Sequence, residues 1–442
     1  MVYFCWFSVF LFNTGEIMLH SFSVKNFLSI KDEITLSFEA TKDKHLRKIH
    51  TVDVAKGVTL LKLGIVYGKN ASGKSNLINA IGFLKKFWFN VFDDKDENIE
   101  AIPFLLDNSS RNEPSEFSVI FYHNTLKFTY FLSVHKNIVL SEKLDFYPGV
   151  QPANIFDRKY QDGVSKIAFG AKIKVKDVVK DEINVKCLPN ISFFAAYNQV
   201  NVNIFEINEA AEWMKKKMMP PITPLTSLKN FTENLICSNM ECRQNTLDYL
   251  KKADFNISSI KTEEIEEDVT DEMILRLKNI GVPDIEINRL QKERKFKHRN
   301  TEFEHSVFVD GSEKHFNLPV DMQSDGTNRM FGLSGALFRT IKENAFLAID
   351  EIEAKLHPRL IEYVLQKFLE ESSNAQLFVA THYDNLFDED DLIRKDNFWF
   401  TEKKQDGSTD LYPLHKFNGL NRITSLQKAY KYGKFGAIPN ID

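Results

Sequence analysis

At 442 residues, with 43% apolar and 27% charged side chains, the chain can bury a core of two lobes and is neither disordered nor fibrous in composition. A net charge of −4 gives no whole-chain attraction to a polyanion, and the 38 phenylalanines read as core filling. The four scattered cysteines, Cys5, Cys187, Cys237 and Cys242, lack the paired spacing of a zinc site and fit free thiols in a reducing cytoplasm.

The first seventeen residues stand apart. Their apolar run MVYFCWFSVFLF is too short to span a bilayer and lacks the basic start and small-residue cleavage site of a signal peptide. Regular alternation begins only after Met18, and Gly15-Glu16-Ile17 is compatible with a purine-rich ribosome-binding sequence before a start codon. The expectation is therefore a native start at Met18 with residues 1–17 a translated leader; a membrane-surface anchor is the alternative.

Residues 19–40 alternate as two strands. The run from Leu60 to Tyr67 reads as one buried strand, and Asn76 to Trp88 as a helix with Leu77, Ile78, Ile81 and Leu84 on one face. Between them lies Gly68-Lys69-Asn70-Ala71-Ser72-Gly73-Lys74-Ser75, which fits GxxxxGK[ST]. Glycines let such a loop curl so that its amides face phosphates, and the helix N-terminus adds partial positive charge. Lys74 would reach the terminal phosphates of a nucleotide and the Ser75 hydroxyl would hold Mg²⁺. A glycine-rich turn before an ordinary helix is the plainer reading.

The acidic stretch at 93–100 reads as a solvated loop, and residues 116–147 as three or four antiparallel strands forming a second layer. From 191 to 256 the pattern is helical, with helices over 210–219 and 225–253 broken by Pro220-Pro221-Ile222-Thr223-Pro224. This divides the chain into an N-terminal lobe over 18–190, a helical insertion over 191–256 and a C-terminal lobe over 257–442. In the last, an acidic run TEEIEED and a basic run KERKFKHR (292–299) precede a polar loop and a helix expected over 328–342.

Three later segments decide what kind of P-loop protein this is. Phe346 to Ile349 is an apolar strand followed by Asp350 and Glu351. There Asp350 would share Mg²⁺ with Ser75, and Glu351 would orient and deprotonate the attacking water. Two solvated acids at a strand end are the alternative. A second buried strand, Gln376 to Thr381, ends at His382, placed to sense a γ-phosphate or to serve structure alone. Ser324-Asp325-Gly326-Thr327 sets a hydroxyl and a glycine at a helix start, as a second anion site or an ordinary cap.

Together these segments resemble the ABC-type ATPase heads of the SMC and OLD groups. The P-loop ends GKSNL, so that Asn76 joins the nucleotide-contacting set. Ser324 to Thr327 corresponds to the signature loop in its SxGT form, with Ser324 and Gly326 as nucleotide contacts. Asp350-Glu351 matches the Walker B pair, Glu353 to Pro358 the D-loop, and His382 the switch histidine. Gln199, following ISFFAAY read as a strand, falls in the interval of the Q-loop and would contact nucleotide and metal. Ala71 stands where many relatives carry glycine. The ending YKYGKFGAIP resembles RloA-like predicted ATPases of bacterial defence islands. The implied fold is an α/β P-loop NTPase of the ABC/SMC-head type with an antiparallel β layer and a helical insertion. The implied mechanism is a cytoplasmic ATP- and Mg²⁺-dependent head-to-tail homodimer, or higher oligomer, closed by ATP and released by hydrolysis.

The resemblance implies a role in antiphage defence, regulating a neighbour-encoded effector such as an RloB-like, TOPRIM-type nuclease. The alternative is an SMC-like DNA-binding or repair ATPase, for which the run 292–299 is the best DNA-binding patch. Against it, the helical insertion is short, broken by prolines and without sustained heptads. A nuclease within this chain would need a domain after His382, and the acids there, Glu402, Asp406 and Asp410, fit a hairpin turning at Asp406-Gly407 better. No membrane partner is expected.

Overall fold

Five strands carry the P-loop: Phe346–Ile349, Gln376–Ala380, Leu63–Tyr67, Phe398–Lys403 and Thr409–Pro413, in that spatial order. The first four are mutually parallel and the last closes an antiparallel hairpin. Every residue of the three strands Phe346–Ile349, Gln376–Ala380 and Leu63–Tyr67 is buried. Unbroken apolar runs of this kind suit a parallel sheet covered on both faces. A computed structural model describes residues 17–252, 256–279 and 284–438 of the chain. The expected leader lies outside these residues except for Ile17; the first strand of the structure is Met18–Lys25.

The described residues form two compact units. The first takes the chain up to Pro224, then Thr340–Glu353 and Ile361 onward; the second takes Leu225–Arg339 and Ala354–Leu360. In the first unit a seven-stranded antiparallel sheet forms the second layer, ordered Val164–Phe169, Ala153–Gln161, Ile138–Tyr147, Leu126–His135, Ser115–His123, Met18–Lys25 and Ile34–Ser37. Helix Lys74–Phe87 buries Leu77, Ile78, Ile81 and Leu84 in the core shared with this sheet, where Phe83 stacks on Phe117 at 4.9 Å. Phe38 meets Phe346 and Phe378 edge-on, tying the two sheets together.

Four local expectations change. The run 60–67 is two strands, Val58–Leu61 and Leu63–Tyr67, in different sheets. Lys62 interrupts it because its buried ammonium reaches back to the Ser372 carbonyl. ISFFAAY is a helix, Phe193–Tyr197, capped by the Ser192 hydroxyl, which accepts from Ala195 N at 3.0 Å. The helix expected over 210–219 runs earlier, over Phe205–Glu212, and passes into a π turn over Trp213–Lys217. The helix expected over 225–253 breaks at Asn239 into Lys229–Ser238 and Met240–Lys252. Residues 218–222 then hydrogen-bond along the edge of Phe346–Ile349, Met219 N to Phe346 O and Ile222 N to Ala348 O, both at 2.9 Å.

In the second unit a three-stranded antiparallel sheet comprises Ile257–Asp268, Lys295–Val309 and Ser312–Pro319. Register sets the acidic run opposite the basic one: Glu264 faces Arg299, Glu266 faces Lys297 and Asp268 faces Lys295. Lys295 bridges Glu266, and Arg299 lies 3.4 Å from Glu264. Two short helices, Asp271–Asn279 and Asp284–Glu293, join these strands around Val269, Ile274, Ile287 and Leu290. Among the described residues no helix is long and apolar enough to cross a membrane.

Candidate nucleotide-binding site

The loop between Tyr67 and Lys74 is held in shape by steric necessity. A side chain at Gly68 would place its Cβ 2.4 Å from the hydroxyls of Ser72 and Thr401, and one at Gly73 would meet Thr409 Oγ1 at 2.1 Å. Gly73 also sits at φ 111, where L-residues are strained. Ala71 occupies the left-handed region at φ 61 although it carries a Cβ.

A chain of hydroxyls braces this loop. Ser72 Oγ pairs with Thr401 Oγ1 at 2.7 Å, and Thr409 Oγ1 donates to the Ser72 carbonyl at 3.0 Å. Ser29 Oγ meets Thr409 Oγ1 at 2.7 Å and accepts from Asn76 Nδ2 at 2.7 Å. Ser29, Thr401 and Thr409 escaped sequence reasoning because they belong to no motif. Thr401 becomes legible once Phe398–Lys403 is known to pair beside the P-loop strand.

The loop opens into a cavity of about 380 Å³, within the range of small-molecule sites. Its lining brings Asn70 to Asn76 together with Glu351 and His382, which the sequence places more than 270 residues further on, and adds Lys403. Lys74 is buried, its Nζ donating to the Gly68 carbonyl at 2.7 Å. Burial lowers its pKa, and the carboxylates of Asp350, Glu353 and Glu351 oppose that shift. An ammonium at the mouth of a glycine cradle, beside a helix N-terminus, is the chemistry that holds a polyphosphate.

Asp350 follows directly after the strand Phe346–Ile349 and is 6% exposed. Its Oδ1 is buried without a hydrogen-bond partner, and a carboxylate oxygen in that state fits a cation. Ser75, exposed at the first turn of Lys74–Phe87, supplies the hydroxyl that such a cation takes in P-loop proteins. The residues present therefore fit both a nucleotide and Mg²⁺.

Glu351 is exposed and held at φ 47. Strained backbone at a carboxylate facing a polar cavity is a feature of functional sites. The His382 amide donates to Glu353 Oε1 at 2.7 Å, which fixes the loop after Gln376–Ala380. Burial lowers the His382 pKa, and Lys74 lowers it further against the pull of Glu353, Glu351 and Asp350, so the ring is neutral at pH 7.

Gln199 does not line this cavity. It follows a helix instead of a strand, and its amide turns back to the Ala195 carbonyl at 3.3 Å.

In the second unit, helix Asp325–Lys342 starts earlier than expected, with Ser324 as its cap. Ser324 Oγ accepts from Thr327 N at 3.1 Å and pairs with Thr327 Oγ1 at 2.8 Å. A Cβ at Gly326 would lie 2.9 Å from the Lys355 carbonyl, and Lys355 Nζ pairs with Asp325 at 3.1 Å. The signature-like and D-loop-like segments are thus packed on each other, and glycine is required where they touch.

A family model described as "AAA domain, putative AbiEii toxin, Type IV TA system" matches residues 65–388. No curated relative matches the sequence. Among solved structures, an SmcHead bound to the C-winged helix domain of ScpA is 14% identical, covering 94% of this chain and 99% of that one at a TM-score of 0.38. The SMC head domain from Thermotoga maritima is 11% identical, covering 90% and 98% at 0.38. The Smc head domain with an extended coiled coil, bound to the C-terminal domain of ScpA derived from Pyrococcus furiosus, is 12% identical, covering 95% and 99% at 0.39.

Proposed function

The chain belongs to this AAA domain family, and from that premise we propose that it is an ATP-driven dimerisation switch controlling a separately encoded effector. The observation that carries the reading is the shared cavity. It joins a glycine cradle and a buried Lys74 to Glu351 and His382, with the unpartnered Asp350 oxygen nearby.

Lys74 and the amides from Gly68 to Ser75 bind the β- and γ-phosphates, and Asn76 holds the loop through Ser29. Ser75 and Asp350 hold Mg²⁺, which neutralises charge on the phosphates when bound. Glu351 accepts a proton from the water that attacks the γ-phosphorus, so that ATP and water give ADP and phosphate. His382, its backbone fixed by Glu353, donates a hydrogen bond to the γ-phosphate. In the dimer, Ser324 and Gly326 of the partner subunit close over the nucleotide. A ligand bound between two copies favours the paired state, and hydrolysis releases it.

The effector is expected to be a neighbour-encoded TOPRIM-like nuclease, held or released as the heads close, in an antiphage role. The acidic strand opposite the basic run supports a protein effector over DNA, because Lys295 and Arg299 are already paired with Glu266 and Glu264 across the ribbon. The test is purification of the tagged protein from its native locus with ATP and without. An effector that co-purifies only in one nucleotide state supports the proposal. Nucleic acid retained through high-salt washes, with no protein partner, overturns it. Separately, Lys74→Ala is expected to abolish ATP binding, measured by titration of a fluorescent analogue.

A further inference from the structure

We propose that His123, Glu209 and Glu212 form a second metal site, separate from the nucleotide cavity, that takes zinc or another divalent ion of similar ligand preference. His123 ends the strand Ser115–His123, and the two glutamates lie three apart on helix Phe205–Glu212, hence on one face. One ligand atom from each of the three comes within 4.8 Å of the others.

The histidine is the independent sign of a ligand. It is 2% exposed, and neither ring nitrogen makes a hydrogen bond. Buried polar side chains in folded proteins nearly always find a partner, so an imidazole left bare beside two carboxylates points to a metal ligand. Its Nε2 lies 3.8 Å from Glu209 Oε2, too far for a hydrogen bond. That separation is close to the ~3.3 Å between donors around a tetrahedral ion with bonds of ~2.0–2.1 Å. Burial also depresses the ring's basicity, with Lys217 and Lys216 adding to the effect and Glu209 and Glu212 opposing it.

The other contacts of the carboxylates leave room for the ion. Asn124 Nδ2 donates to Glu209 Oε2 at 2.7 Å, which orients that group as outer contacts do in metal sites. Lys216 Nζ donates to Glu212 Oε1 at 3.0 Å, but this is an exposed pair four residues apart and is readily displaced. One imidazole and two carboxylates suit zinc, cobalt or manganese better than calcium, which prefers six or more oxygens. Glu212 is exposed, leaving the fourth position to water.

The site has a structural consequence. Glu212 is followed at once by the π turn Trp213–Lys217 and then by the edge segment bonded to Phe346–Ile349, the strand that presents Asp350. An ion here pins the start of that connection to the antiparallel sheet.

The test uses the full chain, stripped with chelator and kept free of nucleotide, then titrated with zinc alone. The wild type is expected to retain about one zinc per chain after gel filtration and to melt at a higher temperature with zinc. Glu212→Gln, at an exposed position that the fold tolerates, is expected to bind at least ~10-fold more weakly and to lose the shift. His123→Gln should do the same, with circular dichroism confirming its fold. Asp350→Asn should keep the zinc, which separates this site from the nucleotide cavity. The proposal is overturned if the wild type retains no zinc, if Glu212→Gln retains it as well as the wild type, or if zinc-edge absorption shows sulfur ligands.

Discussion

Replacing Glu351 separates its chemistry from its backbone. The residue is exposed and sits at φ 47, a conformation that costs an L-residue about 1–2 kcal/mol. Glutamine keeps the Cβ, and with it the strain, so Glu351→Gln should unfold in urea at the wild-type midpoint. It removes the proton acceptor, and phosphate release at saturating ATP should fall by about 10²–10⁴, or ~3–5 kcal/mol on the barrier. Its ATP affinity should hold, and the ATP-bound dimer should accumulate on size exclusion. Glycine removes both. It loses the same catalysis but relieves the strain, less the ~0.5–1 kcal/mol of extra entropy it gives up, so Glu351→Gly should be more stable by about 0.5–1 kcal/mol. Turnover of Glu351→Gln within threefold of wild type would refute its role as base. A Glu351→Gly protein no more stable than Glu351→Gln would refute the strain.

Three further outcomes are expected. Burial pushes the pKa of His50 down to about 4, against the Leu392 hydrogen bond that raises it. Between pH 6.5 and 4 the unfolded chain binds a proton that the folded one refuses. Stability therefore drops as pH is lowered through that window, by about 3 kcal/mol from this group, and His50→Gln should flatten the slope measured by urea unfolding. Arg158 and Glu142 form a fully buried pair at 3.0 Å, with Glu142 also accepting from Tyr130 and the Phe193 amide. Arg158→Met strands that carboxylate and should cost about 3–5 kcal/mol in chemical denaturation; a loss under 1 kcal/mol would mean that the network does not hold the sheet. Thr409→Val removes the donor to the Ser72 carbonyl, a bond of about 1–1.5 kcal/mol, and should weaken ATP binding about five- to tenfold. Unchanged affinity would show that the hydroxyl does not shape the loop.

Much of the candidate site was legible in the sequence because a phosphate-binding motif imposes local demands. Gly68, Gly73 and Lys74 must stand at fixed spacing between a buried strand and a helix, and an apolar strand ending in Asp350-Glu351 announces itself. The braces were not legible. Ser29, Thr401 and Thr409 act through single hydroxyls brought in from distant strands, and a lone serine or threonine has no periodicity to betray it. The reading of ISFFAAY as a strand shows the limit of composition. Aromatic and β-branched residues favour strands on average, but Ser192 caps a short helix and Phe193 stacks on Phe156 at 3.7 Å, so packing decided the outcome. Lys62, which splits the run before the P-loop, looked like one polar residue inside a strand until its partner, the Ser372 carbonyl, came into view.

The hydroxyl brace also dictates when the site can exist. The P-loop strand is made early, yet one of its two neighbours in the sheet, Phe398–Lys403, is translated more than 300 residues later. Until that strand arrives, Leu63–Tyr67 has an open edge and Gly73 has no Thr409 behind it. Pairing so distant in sequence is slow to form, and an unpaired apolar edge invites association with other chains. A nascent chain released before the hairpin at 398–413 would carry every residue of the phosphate-binding motif and still lack the wall that shapes it. The shape of this loop therefore depends on residues 398–413, far downstream of the motif itself.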